Sequence, residues 1–174
     1  MDMTGEQRIA ASRAMVWAAL NDPDVLRECI PGCKSLEKIS DTAFKATATL
    51  AIGPVKATYS GAVTLSEIDA LRSYVIRGEG SGGVAGFAKG EARVRLAGDG
   101  DVTLLSYDVK ADVGGKLAQL GGRLIDSTAR KLAGDFFRNF ADVVAPQVVG
   151  PDSASEAATR RHGLFKRLFG ARTA

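Results

Sequence analysis

Apolar and polar residues alternate with a period of two over much of the middle of the chain. In the segment 44–50, Phe, Ala and Leu occupy every second position, and Lys or Thr stands between them. The segments 55–66, 71–77, 84–96 and 102–113 are interpreted as further strands, and glycine-containing turns separate several of them. Such alternation is typical of antiparallel strands that bury one face. The pattern therefore predicts a strongly curved antiparallel sheet.

Two short helices are predicted between the first strand and the rest of the sheet. The first strand ends within 7–10, and Ser12 then supplies an N-cap for a helix that runs to Leu20. Asp22 followed by Pro23 has the N-cap and first-turn residues of a second helix. Pro31 and Gly32 end that helix.

After Gly114-Gly115 the spacing of the apolar residues becomes helical and stays so for about eight turns. The stripe consists of Leu117, Leu120, Leu124, Thr128, Leu132, Phe136, Phe140 and Val143. We therefore predict an α+β fold of the helix-grip type. In this fold a curved antiparallel sheet of six or seven strands wraps around the long C-terminal helix, and two short helices follow the first strand.

Small residues occupy many positions that should face the long helix. They are Ala46, Ala48, Ala57, Gly61, Gly86, Ala88, Gly90 and Ala92. A bent sheet does not pack flush against a straight helix, so small side chains there favour an apolar cavity. The alternative is that the larger neighbours Phe44, Tyr59, Phe87 and Tyr107 fill the gap.

The basic residues are unevenly distributed. The formal charge of the whole chain is +3, but residues 1–159 hold 18 basic and 20 acidic groups. The last fifteen residues hold five basic residues and no acidic one. The body therefore offers no broad cationic face for a nucleic acid.

The C-terminal segment 160–174 has the pattern of a basic amphipathic helix that docks reversibly on anionic lipid. The residues expected at the membrane are Arg160, Arg161, Leu164, Phe165, Lys166, Arg167, Leu168 and Phe169. The Ala- and Ser-rich segment 147–159 would tether it to a ligand-binding domain formed by 1–146. The alternative is a disordered tail that only improves solubility.

The sequence offers little for catalysis or metal binding. Its single histidine, His162, lies in the C-terminal segment, so the body has no imidazole for acid–base or metal chemistry. Cys29 and Cys33 lack the spacing of a thioredoxin motif and are expected to be small buried thiols. We therefore expect neither a catalytic residue nor a metal site.

A glycine-rich string in the middle of the chain matches a nucleotide-binding pattern. Residues 78–83 spell G-x-G-x-x-G, but a dinucleotide site requires this string between a strand and a helix. Here it joins two predicted strands. We therefore interpret it as a hairpin loop or as part of the rim of the cavity.

The start of the chain has neither the basic region nor the apolar region of a signal peptide. No stretch approaches the about 20 apolar residues that span a bilayer. We therefore expect a cytoplasmic protein that associates peripherally with the inner face of the cell membrane.

Three groups of residues resemble motifs of a known family. They are Asp22-Pro23 with Leu26 and Ile30-Pro31-Gly32-Cys33, then Ile52-Gly53-Pro54-Val55, and finally 114–121 with Arg123-Leu124-Ile125. Together they resemble the CoxG family of the molybdenum carbon monoxide dehydrogenase system, within the START-like and birch-pollen-allergen-like superfamily called SRPBCC. The resemblance covers about residues 3–145.

The resemblance implies a non-catalytic accessory protein. Such a protein recruits a molybdenum carbon monoxide dehydrogenase, or a related molybdenum hydroxylase, to the cytoplasmic membrane. It holds a respiratory quinone, ubiquinone or menaquinone, in its cavity, so that electrons reach the membrane pool. The alternatives are an assembly chaperone without a ligand and a superfamily enzyme of the cyclase or hydrolase kind.

For a quinone ligand we expect the ring to enter near the start of the long helix, where Gly121-Gly122 removes side chains. Tyr59 and Tyr107 would donate hydrogen bonds to a quinone carbonyl. The full set of expected ligand-binding residues is Phe44, Tyr59, Val63, Phe87, Tyr107, Leu117, Leu120, Gly121, Leu124 and Thr128.

Overall fold

The computed structural model describes residues 1–145 of the 174, with Asp99 described by its backbone alone. The predicted tether 147–159 and the predicted membrane-docking segment 160–174, with all of its expected membrane-binding residues, lie outside the described residues. The elements are β1 (Asp2–Ile9), α1 (Arg13–Leu20), α2 (Pro23–Cys29), β2 (Cys33–Ser40), β3 (Ala43–Ile52), β4 (Val55–Asp69), β5 (Ser73–Ser81), a 3-10 turn (Gly83–Ala85), β6 (Phe87–Asp99), β7 (Val102–Gly114), α3 (Lys116–Gln119) and α4 (Gly122–Val144).

The described strands form one antiparallel sheet of seven strands in the order β1-β7-β6-β5-β4-β3-β2. Strands β2 to β7 follow each other as hairpins, and β1 pairs with β7. The predicted helix-grip layout is confirmed, with the long helix after the sheet and two short helices after the first strand. β1 is longer than the segment 7–10 indicated, because its exposed polar residues hide the alternation.

The two short helices begin as their sequences predict. The Ser12 hydroxyl accepts a hydrogen bond from the backbone N–H of Met15 at 3.3 Å. The Asp22 carboxylate accepts from the N–H groups of Asp24 and Val25, at 2.8 and 3.3 Å, and Pro23 occupies the first turn. These side chains satisfy N–H groups that the helix leaves without partners.

The sheet has two ends with different loops. The β2–β3, β4–β5 and β6–β7 turns lie at one end, which we call the hairpin end. The other end, here called the loop end, carries the β3–β4 turn (52–55), the β5–β6 loop (82–86) and the segment 114–122. The glycine string 78–83 lies between two antiparallel strands, but it is mostly strand and not loop: residues 78–81 are the paired end of β5, and only Gly82 and Gly83 belong to the β5–β6 loop.

The long helix is interrupted near its start, where the sequence predicted a continuous stripe. Lys116–Gln119 forms the separate short helix α3, and α4 begins at Gly122. Gly121 lies between them at φ 88° and ψ 151°, a conformation open essentially to glycine alone. The break gives α3 a direction of its own and lets Leu117 turn away from the stripe of α4.

The C-terminal half of α4 anchors it to the rest of the fold. Phe140 and Val144 are the buried residues of α4, and both belong to the main core together with Val16 of α1 and Val25 of α2. The amide of Asn139 donates a hydrogen bond of 3.1 Å to a backbone carbonyl at the end of α2. The first three turns of α4 contain no buried residue, so the helix is packed tightly at one end only.

Candidate functional site

A cavity of about 340 Å³ lies between the concave face of the sheet and α4. All seven strands contribute to its wall, and α1, α2 and α4 complete it. Its lining residues are Met3, Leu20, Leu26, Ile30, Leu36, Phe44, Ala46, Val63, Leu65, Tyr74, Ile76, Ala92, Val94, Leu105, Tyr107, Val109, Ala133, Phe136 and Phe137. The surface that they present is almost entirely apolar.

Small side chains on both walls leave this space open. Ala46 and Ala92 face the cavity from strands β3 and β6, and Ala133 faces it from α4. A larger apolar residue at any of these positions would extend toward the opposite wall and occupy part of the volume. Two of the small inward positions singled out from the sequence, Ala46 and Ala92, thus line the cavity.

Tyr107 is held against α4 by aromatic stacking. Its ring lies 5.4 Å from that of Phe137, with an angle of 16° between the planes. Phe137 in turn meets Phe136 edge to face at 5.1 Å. On the sheet side, a Cβ atom at Gly5 would overlap the phenol ring of Tyr107, so the glycine provides the space that the ring occupies.

Tyr74 is the second lining residue with a hydroxyl group. It is 5% exposed, and its ring meets Trp17 edge to face at 5.4 Å. Burial raises the pKa of Tyr74 well above its usual value, so the hydroxyl keeps its proton. A phenol in this state can donate a hydrogen bond to an acceptor inside the cavity.

The cavity offers no acid–base pair. Among the described residues that line it, none is a carboxylate, amine, guanidinium or imidazole. Within residues 1–145 there is also no cluster of three or more histidine, cysteine or acidic residues that could hold a metal ion. The lining can therefore surround an apolar molecule, and two of the lining side chains are phenols.

The two cysteines lie outside this site and are both free thiols. Cys29 is fully buried, and its burial, reinforced by the charges of Glu28 and Asp142, raises its pKa to about 12. Cys33 is partly exposed, and burial is the main cause that raises its pKa as well. Both thiols therefore stay protonated at neutral pH.

The structure divides the expected ligand-binding residues into two groups. Phe44, Val63 and Tyr107 line the cavity. Of the described residues around the cavity, none belongs to the other expected positions: Tyr59, Phe87, Leu117, Leu120, Gly121, Leu124 and Thr128. The wall contributed by α4 begins at Ala133, twelve residues after Gly121. At 1.5 Å per residue, this part of the wall begins about 18 Å farther along the helix than Gly121, near which the ligand ring was expected.

The second group lies toward or at the loop end, where several of its members close the fold. Leu117 is 4% exposed and packs on Gly86. The ring of Tyr59 lies against Gly82, and its buried hydroxyl has no hydrogen-bond partner in the described part of the chain. Burial raises the pKa of Tyr59. Tyr59 therefore packs on the β5–β6 loop and is not among the residues that line the cavity.

The remaining members of that group are less buried. Leu124 covers Gly53 of the β3–β4 turn, and Phe87 covers Gly114 on the outside of the sheet while staying 52% exposed. Leu120 ends α3, Gly121 has open space around it, and Thr128 is half-buried on α4. The sequence reasoning placed Leu120, Leu124 and Thr128 in the cavity because it extended the stripe of α4 to Leu117, and it placed Phe87 there as a large residue of a strand facing the long helix.

Several lining residues were not among the expected ligand-binding set. Tyr74 and Ile76 face the cavity from β5, and Phe136 and Phe137 face it from α4. Phe136 belongs to the helical stripe predicted from the sequence, so the pattern already indicated that its side chain faces the sheet. Phe137 lies beside the stripe and becomes a lining residue because it stacks on Tyr107.

Comparison with known proteins agrees with this architecture. No curated protein sequence matches the chain significantly. A solved structure described as a conserved protein from Geobacillus kaustophilus is 32% identical, covers 83% of this chain and 95% of its own, and has a TM-score of 0.78. A START superfamily protein from Mycobacterium smegmatis is 15% identical, covers 82% of this chain and 96% of its own, and has a TM-score of 0.65.

More distant structures share the fold alone. The Zhui aromatase/cyclase from Streptomyces sp. R1128 is 13% identical, covers 81% of this chain and 91% of its own, and has a TM-score of 0.57.

Residues 5–145 of the chain match the sequence profile of the CoxG subunit of carbon monoxide dehydrogenase. Because this match spans most of the sequence and the fold is START-like, the chain belongs to the CoxG family of carbon monoxide dehydrogenase subunits.

Proposed function

We propose that this protein is a non-catalytic accessory protein of a molybdenum carbon monoxide dehydrogenase. It binds a respiratory quinone, ubiquinone or menaquinone, or a similar apolar molecule in its cavity. It also links the dehydrogenase to the cytoplasmic membrane, where electrons pass to the quinone pool. The family membership supports the association with the dehydrogenase.

The observation that carries the ligand proposal is the chemistry of the cavity. Its wall is almost entirely apolar, and two of its lining residues, Tyr74 and Tyr107, carry hydroxyl groups that can act as hydrogen-bond donors. A quinone ring is flat and apolar and has two carbonyl acceptors, so it matches this wall. Phe136 and Phe137 offer aromatic faces on which such a ring can stack.

The size of the cavity limits what it can enclose. Its volume of about 340 Å³ is at the small end of the range of about 300–1,000 Å³ that is typical of small-molecule sites. We infer that it encloses the ring and the start of a prenyl chain, and that the rest of a long chain stays outside. Leu124, Thr128 and Leu132 on the first turns of α4 are half-buried, and we infer that this part of the chain runs past them.

The same chemistry argues against the enzyme alternative. Cyclisation or hydrolysis at neutral pH needs a group that accepts or donates a proton, and the described lining residues carry no ionisable group other than tyrosine. The cavity also disfavours a chaperone without a ligand, because such a chaperone needs no open cavity and would be expected to have a filled core.

The membrane link rests on the C-terminal segment. No helix in the described part of the chain is both long and apolar enough to cross a bilayer. The basic and apolar residues of 160–174 are therefore our candidates for peripheral docking on anionic lipid.

Mass spectrometry of an organic extract of the purified full-length protein tests the ligand proposal. We expect a quinone in the extract, and we expect the stripped protein to take up ubiquinone or menaquinone from detergent micelles. Tyr107→Phe should weaken uptake by about tenfold if the hydroxyl donates to a carbonyl in the apolar cavity. An extract without quinone, from a protein that takes none up, would refute the proposal.

A further inference from the structure

The loop end exposes two large apolar side chains. Val84, at the tip of the β5–β6 loop, is 87% exposed, and Phe87 at the start of β6 is 52% exposed. Val84 is the most exposed of the large apolar residues found in residues 1–145. A single exposed apolar residue is ordinary, but here Phe87 directly follows the loop that carries Val84, so both lie at the same end of the sheet.

The backbone holds this loop away from the body. A Cβ atom at Gly83 would meet nothing within 4 Å, and Gly83 has a φ of 64°, which glycine adopts without strain. The base of the loop is fixed, because Gly86 packs on Leu117 and Ala85 is 5% exposed. The tip therefore projects from a rigid base, and its apolar side chain is preorganised for contact with another surface.

Exposed basic residues are slightly more numerous than acidic ones at the loop end. The segments that meet there, 51–58, 81–87 and 113–125, contain Lys56, Lys116 and Arg123, and Asp112 and Asp126 flank the last of these segments. All three of these basic residues are exposed. At the hairpin end, the turns 40–42 and 67–72 contain three acidic residues and one basic residue.

We propose that the loop end of the folded domain is itself a membrane-docking surface, which inserts Val84 and Phe87 into the headgroup region of an anionic bilayer. Lys56, Lys116 and Arg123 contact lipid phosphates, and the acidic residues at the hairpin end turn that end toward the aqueous side. A lipid surface fits better than a protein partner, because an exposed apolar tip with exposed basic residues nearby matches the layered chemistry of a bilayer interface.

This surface is distinct from the C-terminal segment on which the proposed function relies. The described structure ends at Ala145, and the 23 residues of α4 separate that point from the loop end by about 34 Å. The fourteen residues 146–159 reach at most about 46 Å when fully extended. One membrane can therefore contact both the loop end and the segment 160–174.

An environment-sensitive fluorophore at position 84 tests the proposal directly. The full-length chain carries Val84→Cys together with Cys33→Ser, and the buried, protonated Cys29 stays unlabelled. Vesicles contain equal parts of phosphatidylglycerol and phosphatidylethanolamine, and phosphatidylcholine vesicles serve as the neutral comparison. We expect a blue shift and quenching by brominated lipid at position 84 with the anionic vesicles. We expect neither with a label at Asp41→Cys, at the hairpin end.

A matched pair of unlabelled variants measures the contribution to binding. Val84→Asp should lower partitioning onto anionic vesicles by about tenfold, because it replaces an inserted apolar group with an acid. Ile39→Asp is the control, since Ile39 is 54% exposed near the β2–β3 turn and the change in net charge is the same. Equal losses in the two variants would overturn the proposal.

Other outcomes separate this inference from the proposed function. If the full chain sediments with anionic vesicles but the label at position 84 remains in water, the membrane contact belongs to the C-terminal segment and the loop-end proposal is overturned. If that label becomes buried only after a dehydrogenase is added, the loop end is a protein interface and the proposal is also overturned. Quinone uptake from micelles needs no vesicle, so it reports on the cavity independently.

Discussion

Replacing Ala92 by leucine tests in solution whether the cavity is open space. Ala92 lies on β6, and its neighbours in the sheet register are Ile76 on β5 and Val109 on β7. All three residues line the cavity. A leucine side chain at this position extends into the cavity volume and leaves the backbone pairing unchanged.

The sign of the stability change depends on whether the space is empty. Leucine adds three carbon atoms to the alanine side chain, and each stabilises by about 0.8 kcal/mol when buried. Fixing the leucine rotamer costs about 0.5–1 kcal/mol. We therefore expect the free energy of unfolding of the ligand-free protein to rise by about 1.5 kcal/mol. In a protein of this size that raises Tm by about 3–6 °C.

Urea unfolding of stripped protein measures this change, and the micelle assay measures the effect on quinone uptake. The leucine occupies room that the ligand needs, so uptake should fall by at least about tenfold. Ala62→Leu is the matched control, because Ala62 is exposed on the opposite face of the sheet. That variant should change stability by less than about 0.5 kcal/mol and leave uptake unaltered.

A decrease in the free energy of unfolding on replacing Ala92 by leucine would refute the reasoning. In a closely packed interior, added methylene groups destabilise by about 1–3 kcal/mol. If Ala92→Leu destabilises the stripped protein by that amount while quinone uptake is unchanged, the space is closed in solution and the ligand binds elsewhere.

Three further outcomes follow from the structure. Gly134 is exposed within α4 and a Cβ atom there would meet nothing within 4 Å, so Gly134→Ala should raise the free energy of unfolding by about 0.5–1 kcal/mol in urea titrations; a decrease would show that the glycine conformation is needed. A hydrogen bond from Lys131 is the main cause that lowers the pKa of Asp135, so this carboxylate stabilises the fold at neutral pH and the contribution is lost as the pH falls through its folded-state pKa. Asp135→Asn should therefore lower the urea midpoint at neutral pH, and its difference from the parent should shrink in acid; a constant difference would exclude the ion pair as its origin. Iodoacetamide should alkylate the partly exposed Cys33 in the native protein and reach Cys29 only after unfolding, as peptide mass spectrometry would show; equal native rates would contradict the burial of Cys29.

The fold was predictable because its local signals agree with its tertiary packing. The alternation in 44–50 survives in β3, and the caps at Ser12 and Asp22 place the starts of α1 and α2 correctly. The alternation of apolar and polar residues did not predict β2 as a separate strand. Its residues are mostly exposed at the edge of the sheet, so burial does not impose alternation on them.

The site was harder to predict, because the sequence pattern gives no sign of the break in the long helix. The spacing of Leu117, Leu120 and Leu124 fits one helix, and periodicity alone does not register that Gly121 adopts a φ of 88°. Once the helix breaks there, Leu117 packs on Gly86 and closes the loop end of the fold. The open space then lies beyond this closure, where Ala133 leaves room on α4. The part of α4 that lines the apolar cavity thus begins at Ala133, about 18 Å along the helix from Gly121, near which the ligand ring was expected.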